Sequence, residues 1–136
     1  MINPRIRVAY YIAWLAFACF AVALIGPAIK VNMGAWNNPD AKFFPGWAIT
    51  AIAWPYYLTN LTIIFSPLIF LLAARWRKAR ACFGILLILY LIPPPTLLIP
   101  GNRDSILEIG WACYLWCFAH LIAAIGASIG IKTCKL

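Results

Sequence analysis

Long apolar runs separated by short polar segments dominate the sequence and predict membrane-spanning helices. The first run, residues 8–29, carries no charge and would be about 33 Å long as a helix, enough to cross a bilayer. Tyr10 and Trp14 lie near its start, where aromatic side chains gather at the membrane interface. Gly26-Pro27 is expected to loosen or end this helix.

A cleaved signal peptide is the alternative interpretation of the first run, because Ala21-Val22-Ala23 resembles a cleavage site. The apolar run is longer than the apolar core of a signal peptide, which is about 7–15 residues. We therefore expect a retained helix.

The second and third predicted spans both contain prolines. Residues 48–74 are uncharged and would be about 40 Å long as a helix, longer than the hydrocarbon core is thick, and a kink is expected at Pro67. The third span, residues 81–99, is apolar for only about 18 Å of helix before it reaches Pro93–Pro95. Because proline donates no backbone hydrogen bond, this helix is predicted to break after about Ile92 and to continue as non-helical chain covered by its neighbours.

The fourth predicted span, residues 109–131, contains a stripe of small residues that would let another backbone approach closely. The stripe consists of Ala119, Ala123, Gly126, Ala127 and Gly130. Packing within the protein is its favoured use, and self-association is the alternative.

Together these patterns predict an all-α fold. We expect a single transmembrane domain over residues 1–136, with four transmembrane helices arranged as two hairpins and the third helix broken at Pro93–Pro95. The polar segments Lys30–Trp47 and Asn102–Glu108 are predicted to be loops on the same side of the membrane.

Composition agrees with a membrane protein, since 65% of the residues are hydrophobic and only 10% are charged. Soluble domains are roughly half apolar and about a quarter charged. The net charge of +8 would suggest nucleic acid as a partner of a soluble protein, but the loops here are too short for a nucleic-acid-binding domain.

The basic residues are distributed unevenly and predict an orientation. Eight of the eleven lie on the side of both termini: Arg5, Arg7, Arg75, Arg77, Lys78, Arg80, Lys132 and Lys135. Lys30, Lys42 and Arg103 lie on the other side, together with all three acidic residues. Because basic loops stay in the cytoplasm, we predict a multi-pass protein of the cytoplasmic (inner) membrane with both termini in the cytoplasm.

Candidate chemistry inside the membrane is sparse. No acidic residue lies in a predicted span, and ion-coupled transporters normally need an intramembrane carboxylate. The sequence also has no Gly-rich phosphate loop and no soluble catalytic domain. These features argue against a coupled transporter and against an enzyme.

Asn60 and His120 are predicted to lie at similar depth near the middle of the membrane, on the second and fourth helices. An unpaired amide or imidazole is costly in hydrocarbon. We favour a structural hydrogen bond between the two, or from either one to a free carbonyl of the broken helix. The alternative is a cofactor-binding role for His120, as ligand to a haem-like or chlorophyll-like macrocycle, although no cofactor is favoured.

Cys113, Cys117 and His120 share one face of the fourth helix, and Cys19 lies at similar depth on the first. Thiolates and imidazole together suit copper(I) or zinc. Cysteine in an apolar helix is more often a small hydrophobic residue, so no metal site is predicted. All five cysteines are expected to be reduced thiols.

Three short motifs resemble a pattern of small, functionally uncharacterised bacterial membrane proteins with four helices. They are Gly46-Trp47 at the start of a long helix, Tyr57-Leu58-Thr59-Asn60 within it, and Tyr114-Leu115-Trp116 followed by Ala119. The chain departs from the pattern in having Ala119 or His120 where a serine is usual, and in Pro93–Pro95. The resemblance covers neither the first helix nor the broken third, and it implies the fold but no activity.

These features predict a small non-enzymatic membrane protein that acts through contacts, as an accessory or scaffold subunit of a larger membrane assembly. Its predicted partners are the lipid bilayer and either another membrane protein or further copies of itself, and not nucleic acid. The alternative is a passage for a small solute or an ion built around the broken third helix, where free carbonyls could coordinate a cation.

Overall fold

The computed structural model describes residues 4–31, 42–48, 57–73, 79–91 and 106–133. Within these ranges the chain is mostly helical. The main helices are α1 (Pro4–Ile25), α2 (Tyr57–Ile64), α3 (Ser66–Ala73), α4 (Ala79–Leu91) and α5 (Trp111–Thr133), and residues 46–48 are also helical. The strands are β1 (Pro27–Val31), β2 (Lys42–Pro45) and β3 (Ile106–Ile109).

Two of the described helices, α1 and α5, are long and apolar enough to cross a membrane. No glycine and no proline interrupts α1 after its first residue, so its backbone hydrogen bonds continue until Ile25. Gly26-Pro27 then ends the helix, as predicted, and the chain turns directly into β1.

α1 and α5 pack against each other more extensively than any other pair of elements. The buried residues of α1 recur at every third or fourth position and are mostly small: Ala9, Ala13, Ala16, Phe20 and Ala23. Such spacing turns one face of a helix to its neighbour, and small side chains let the two backbones approach closely. Gly26 lies beside Ala112 and Ile12 lies beside Gly126, so the two helices are antiparallel.

The described part of the second predicted span consists of α2 and α3, which meet at Phe65. Backbone hydrogen bonds continue through the junction: Phe65 donates to Leu61 and Ile69 donates to Phe65, both at 2.9 Å. The interruption lies two residues before Pro67, whose ring removes the donor for the carbonyl of Ile63. The helix is therefore irregular where the proline predicts a kink.

The structure describes α4 as far as Leu91, so its predicted end near Ile92 falls just outside the described residues. The predicted break at Pro93–Pro95 and the remainder of that span lie outside the described residues. Most of the basic turn between α3 and α4 lies outside them as well, but Arg80 is described and exposed.

A three-stranded antiparallel sheet in the order β2-β1-β3 corrects the expectation of an all-α fold. β1 is the central strand, and its Lys30 lies opposite Phe43 on β2 and Glu108 on β3. Lys30 Nζ is 3.7 Å from Glu108 Oε2 and 5.5 Å from the centroid of the Phe43 ring. The strands are only four or five residues long, too short for a clear alternation of polar and apolar positions.

Glycines join the sheet to the helices. Gly46 donates a backbone hydrogen bond to Gly26 at 3.0 Å, and Gly110 donates one to Ala28 at 2.7 Å. A Cβ at Gly46 or Gly110 would collide with a backbone carbonyl oxygen of the opposite segment. The close approach therefore requires glycine at both positions.

The sheet lies at the end of the bundle where α1 ends and α5 begins. The opposite end holds the start of α1, the end of α3, the start of α4 and the end of α5. Leu71 of α3 lines a cleft together with Ile6 and Arg7 of α1, and Phe83 of α4 lies against Gly130 of α5.

Candidate functional site

Hydrogen-bonded polar residues of α2, α4 and α5 form the candidate site, in two sets: Asn60 with Trp116 and His120, and Thr62 with Tyr90. We name it the buried polar cluster; it comprises Asn60, Thr62, Tyr90, Trp116 and His120. The indole Nε1 of Trp116 donates to Asn60 Oδ1 at 3.0 Å. Asn60 is 2% exposed and Trp116 is 5% exposed, so solvent does not weaken this hydrogen bond between α2 and α5.

The same hydrogen bond leaves half of the Asn60 amide without a partner. Because an indole nitrogen can only donate, Asn60 presents its oxygen to Trp116. Its Nδ2 is buried and has no hydrogen-bond partner within the described ranges. A buried donor left unsatisfied costs about 1–3 kcal/mol.

His120 is bonded to its own helix. Its Nδ1 lies 3.0 Å from the backbone carbonyl oxygen of Trp116, one turn earlier. A carbonyl oxygen only accepts, so Nδ1 carries the proton and Nε2 is the unprotonated nitrogen of neutral His120. The two rings also meet edge to face, with centroids 5.8 Å apart.

Asn60 and His120 are both buried, as predicted. The predicted hydrogen bond between their side chains is not formed, because each bonds to Trp116 instead. Trp116 takes the place of the direct bond, because its indole engages Asn60 and its backbone carbonyl engages the imidazole. The two polar residues belong to one cluster through this tryptophan.

A second set of hydrogen bonds lies at the junction of α2 and α3. Tyr90 Oη of α4 donates to the Thr62 carbonyl at 3.1 Å, and Thr62 Oγ1 donates to the Thr59 carbonyl at 2.7 Å. Ser66 is completely buried, and its Oγ donates to the Ala13 carbonyl of α1 at 3.2 Å. Side-chain hydroxyls therefore tie the irregular part of this span to the helices on either side.

Sequence reasoning misses Trp116 and Tyr90, which donate the hydrogen bonds between helices in the cluster. With seven tryptophans and six tyrosines in the chain, neither is distinctive by residue type. A usable signal is spacing: Trp116 lies four residues before His120, so both occur on one face of the helix.

The candidate metal ligands are not brought together. Cys113 is buried, and Cys117, one turn later on α5, is half-buried. In the part of the chain that the structure describes, no group of three or more His, Cys, Asp or Glu residues could hold a metal ion, and neither His120 nor Cys19 completes such a group. The four described cysteines form no disulfide with one another, and Cys134 lies outside the described residues.

The small-residue stripe of α5 is covered by aromatic rings of the same chain. Atoms of the Phe83 ring lie 2.7–2.8 Å from where a Cβ of Gly130 would be, and Phe70 lies 3.1 Å from that position at Gly126. The two rings meet edge to face with centroids 5.0 Å apart. The other stripe residues, all completely buried, are Ala119, Ala123 and Ala127.

Large apolar side chains cover the outside of the helices. Those between 44% and 67% exposed include Leu15, Val22, Leu61, Phe65, Leu68, Ile85, Ile88, Tyr114, Phe118 and Leu121. The interior, by contrast, is rich in alanine and glycine. This distribution is the reverse of that in a soluble helical bundle, where large apolar side chains fill the core.

Fold and site together define a mostly helical protein with an apolar outer surface, in which α1 and α5 have the length and composition to cross a membrane. No protein family, curated protein or solved structure matches the chain.

Proposed function

We propose that the chain is an integral protein of the cytoplasmic membrane that crosses the bilayer four times. The proposal rests on the apolar outer surface of the described helices around an interior of small residues. Large apolar side chains are unfavourable in water but favourable against lipid. The four crossings are α1, the span containing α2 and α3, the span that begins with α4, and α5.

Charge supports an orientation with both termini in the cytoplasm. Arg7, Arg80 and Lys132 lie at the end of the bundle where α1 begins and α5 ends. The sheet, with Lys30 and Glu108, lies at the opposite end. Because excess Lys and Arg mark the cytoplasmic side, the sheet is assigned to the outer side.

Cysteine labelling tests this topology. We expect a cysteine introduced at Asn38 to react with a membrane-impermeant maleimide in right-side-out vesicles, and one at Trp76 to react only in inverted vesicles. Cys82 and Cys134, which the predicted topology places at the cytoplasmic face, are first replaced by serine, and this background without an introduced cysteine is the control. Reaction of both introduced cysteines from the same side contradicts the topology.

Within the membrane we propose a non-enzymatic role as an accessory or scaffold subunit of a larger assembly. All three acidic residues lie outside the predicted spans, so no carboxylate is available there to couple proton or sodium movement. The buried polar cluster ties helices to one another. The outer apolar surface is then the part of the molecule that a membrane-protein partner, or a second copy, would contact.

Purification from native membranes in a mild detergent tests this role. We expect the tagged chain to be recovered with one membrane protein in a fixed ratio, or as an oligomer of defined size, as measured by native mass spectrometry. Recovery as a monomer with no partner in a fixed ratio contradicts the proposal.

A passage for a small solute or an ion is the second candidate. Nδ2 of Asn60, which has no partner among the described residues, favours passage of a solute that carries a hydrogen-bond acceptor. A fixed donor inside a bundle is a group that a permeating molecule could use. Under the scaffold proposal, proteoliposomes should show no flux of sodium, potassium or glycerol above that of protein-free liposomes. Flux that is lost in an Asn60→Leu variant would favour the passage instead.

A further inference from the structure

A cleft of about 210 Å³ opens between the start of α1 and the end of α3, outside the buried polar cluster. It is lined by Ile6, Arg7, Tyr10, Tyr11 and Leu71. Arg7 and Tyr11 are exposed, and Tyr10 is half-buried. The cleft therefore offers one guanidinium and two phenol hydroxyls beside two aliphatic side chains.

The aromatic residues beside the cleft are packed against one another along α1. The ring centroid of Tyr10 is 6.0 Å from that of Tyr11 and 6.4 Å from that of Trp14, the latter edge to face. A phenol held in this way loses little conformational freedom when it donates a hydrogen bond to a ligand.

Arg7 in the cleft, and the basic residues that follow α3 in the sequence, favour an anionic ligand. Arg75, Arg77 and Lys78 follow the end of α3 within five residues of Ala73, and all three acidic residues of the chain belong to segments predicted on the opposite side of the membrane. Among the described residues that line the cleft, none has a carboxylate that could pair with Arg7. A guanidinium binds phosphate through paired hydrogen bonds, and tyrosine hydroxyls can donate further ones.

We propose that this cleft binds the phosphate of an anionic phospholipid. The phosphate pairs with Arg7 and accepts hydrogen bonds from the tyrosines, while the adjoining acyl chain lies along Ile6 and Leu71. The two aliphatic residues favour a lipid over free inorganic phosphate, which has no apolar part to place against them. The proposal rests on the membrane location proposed above, and anionic lipid in the cytoplasmic leaflet supplies the ligand.

Native mass spectrometry of the full chain in detergent, titrated with phosphatidylglycerol or with phosphatidylcholine of the same acyl chains, tests the site. Both lipids carry a phosphate, but the choline of phosphatidylcholine adds a positive charge beside Arg7, so only phosphatidylglycerol is net anionic. We expect phosphatidylglycerol to bind about tenfold more tightly. Arg7→Gln should abolish this preference, and Tyr10→Phe should weaken it. Arg80→Gln is the matched control: Arg80 is also exposed at the same end of the bundle but does not line the cleft, so the preference should remain.

Three outcomes overturn the proposal. Equal binding of the two lipids means that the cleft does not recognise an anionic headgroup. Equal losses in Arg7→Gln and Arg80→Gln mean that net charge, rather than this cleft, attracts the lipid. Binding of inorganic phosphate alone with the same dependence on Arg7, and displacement of lipid by it, means that the ligand is a free anion. None of these results bears on the topology or the partner, which vesicle labelling and purification measure separately.

Discussion

Asn60 is held in the interior with its amide oxygen hydrogen-bonded and, among the described residues, no acceptor for its amide nitrogen. Hydrogen bonds between membrane helices contribute only about 0.6 kcal/mol on average, whereas an unsatisfied buried donor costs about 1–3 kcal/mol. The balance is against Asn60 as a purely stabilising residue. The presence of Asn60 here is better explained by a role in aligning α2 with α5. The other explanation is that its amide nitrogen binds a solute in the passage proposed above.

A double-mutant cycle on Asn60 and Trp116 measures this balance. Trp116→Phe should destabilise by about 1–3 kcal/mol, because Asn60 then has no partner for either end of its amide. Adding Asn60→Leu should recover part of that loss, since it removes the unsatisfied amide. Unfolding in mixed detergent micelles, followed by circular dichroism, gives the free energies. Effects that add within about 0.5 kcal/mol would mean that the two side chains are not coupled.

Replacement of His120 separates its structural role from a cofactor role. His120→Leu should destabilise by less than about 0.6 kcal/mol, the average for a hydrogen bond between membrane helices, because His120 bonds only to a carbonyl of its own helix. The purified variant should keep its helical content and have the same visible absorbance spectrum as the parent chain. Loss of an absorbing species in the variant alone would instead make His120 a cofactor ligand through Nε2.

At the level of single residues, the sequence predicts which polar side chains are buried but not which hydrogen-bond partners they have. Asn60 and His120 can be identified because a polar residue within a long apolar run must be buried or paired. Their actual partner depends on the length and direction of the Trp116 side chain, which residue spacing alone does not give. The same holds for Tyr90, whose acceptor is a carbonyl and is therefore invisible in the sequence.

Among the elements, α5 packs against its neighbours through two glycines, Gly126 and Gly130, whose surfaces are covered by aromatic rings. The Phe83 ring occupies the space that a side chain at Gly130 would need, and Phe70 does the same less closely at Gly126. The helix therefore depends on the absence of side chains at these two positions.

Substitution of Gly130 tests this packing. Gly130→Ala should destabilise by about 1–3 kcal/mol, the cost of overpacking, because its Cβ would lie 2.7 Å from the Phe83 ring. Gly84→Ala on α4 is the matched control, since no atom lies within 4 Å of its Cβ position. Alanine there should be neutral or stabilising by about 0.5–1 kcal/mol through its higher helix propensity. Equal effects of the two substitutions in the detergent unfolding assay would rule out the proposed contact.

Helices are easier to predict here than strands because proline and glycine mark their ends. Gly26-Pro27 ends α1, as the sequence predicts. The sheet could not be predicted, because β1 is paired with segments far away in the chain and only the folded bundle brings them together.

For the whole molecule, the distribution of apolar and charged residues determines most of what could be predicted. The long apolar runs predict a mostly helical chain, and α1 and α5 have the length that a bilayer requires. The pairing of helices depends on small residues such as Ala13 and Ala16, which apolar run length does not distinguish from larger ones. The cleft between the start of α1 and the end of α3 forms only when these two helices pack together, so the sequence alone does not predict it.

The extensive contact between α1 and α5 has a consequence for biogenesis. α1 is synthesised well before α5, so its alanine face lacks its main neighbour until α5 has been inserted. β1 likewise lacks its partner β3 until the same stage, which leaves one edge of the strand unpaired. Assembly of the bundle is therefore completed late, and a nascent chain interrupted before α5 would present small-residue and strand surfaces that chaperones and membrane proteases recognise as unfinished.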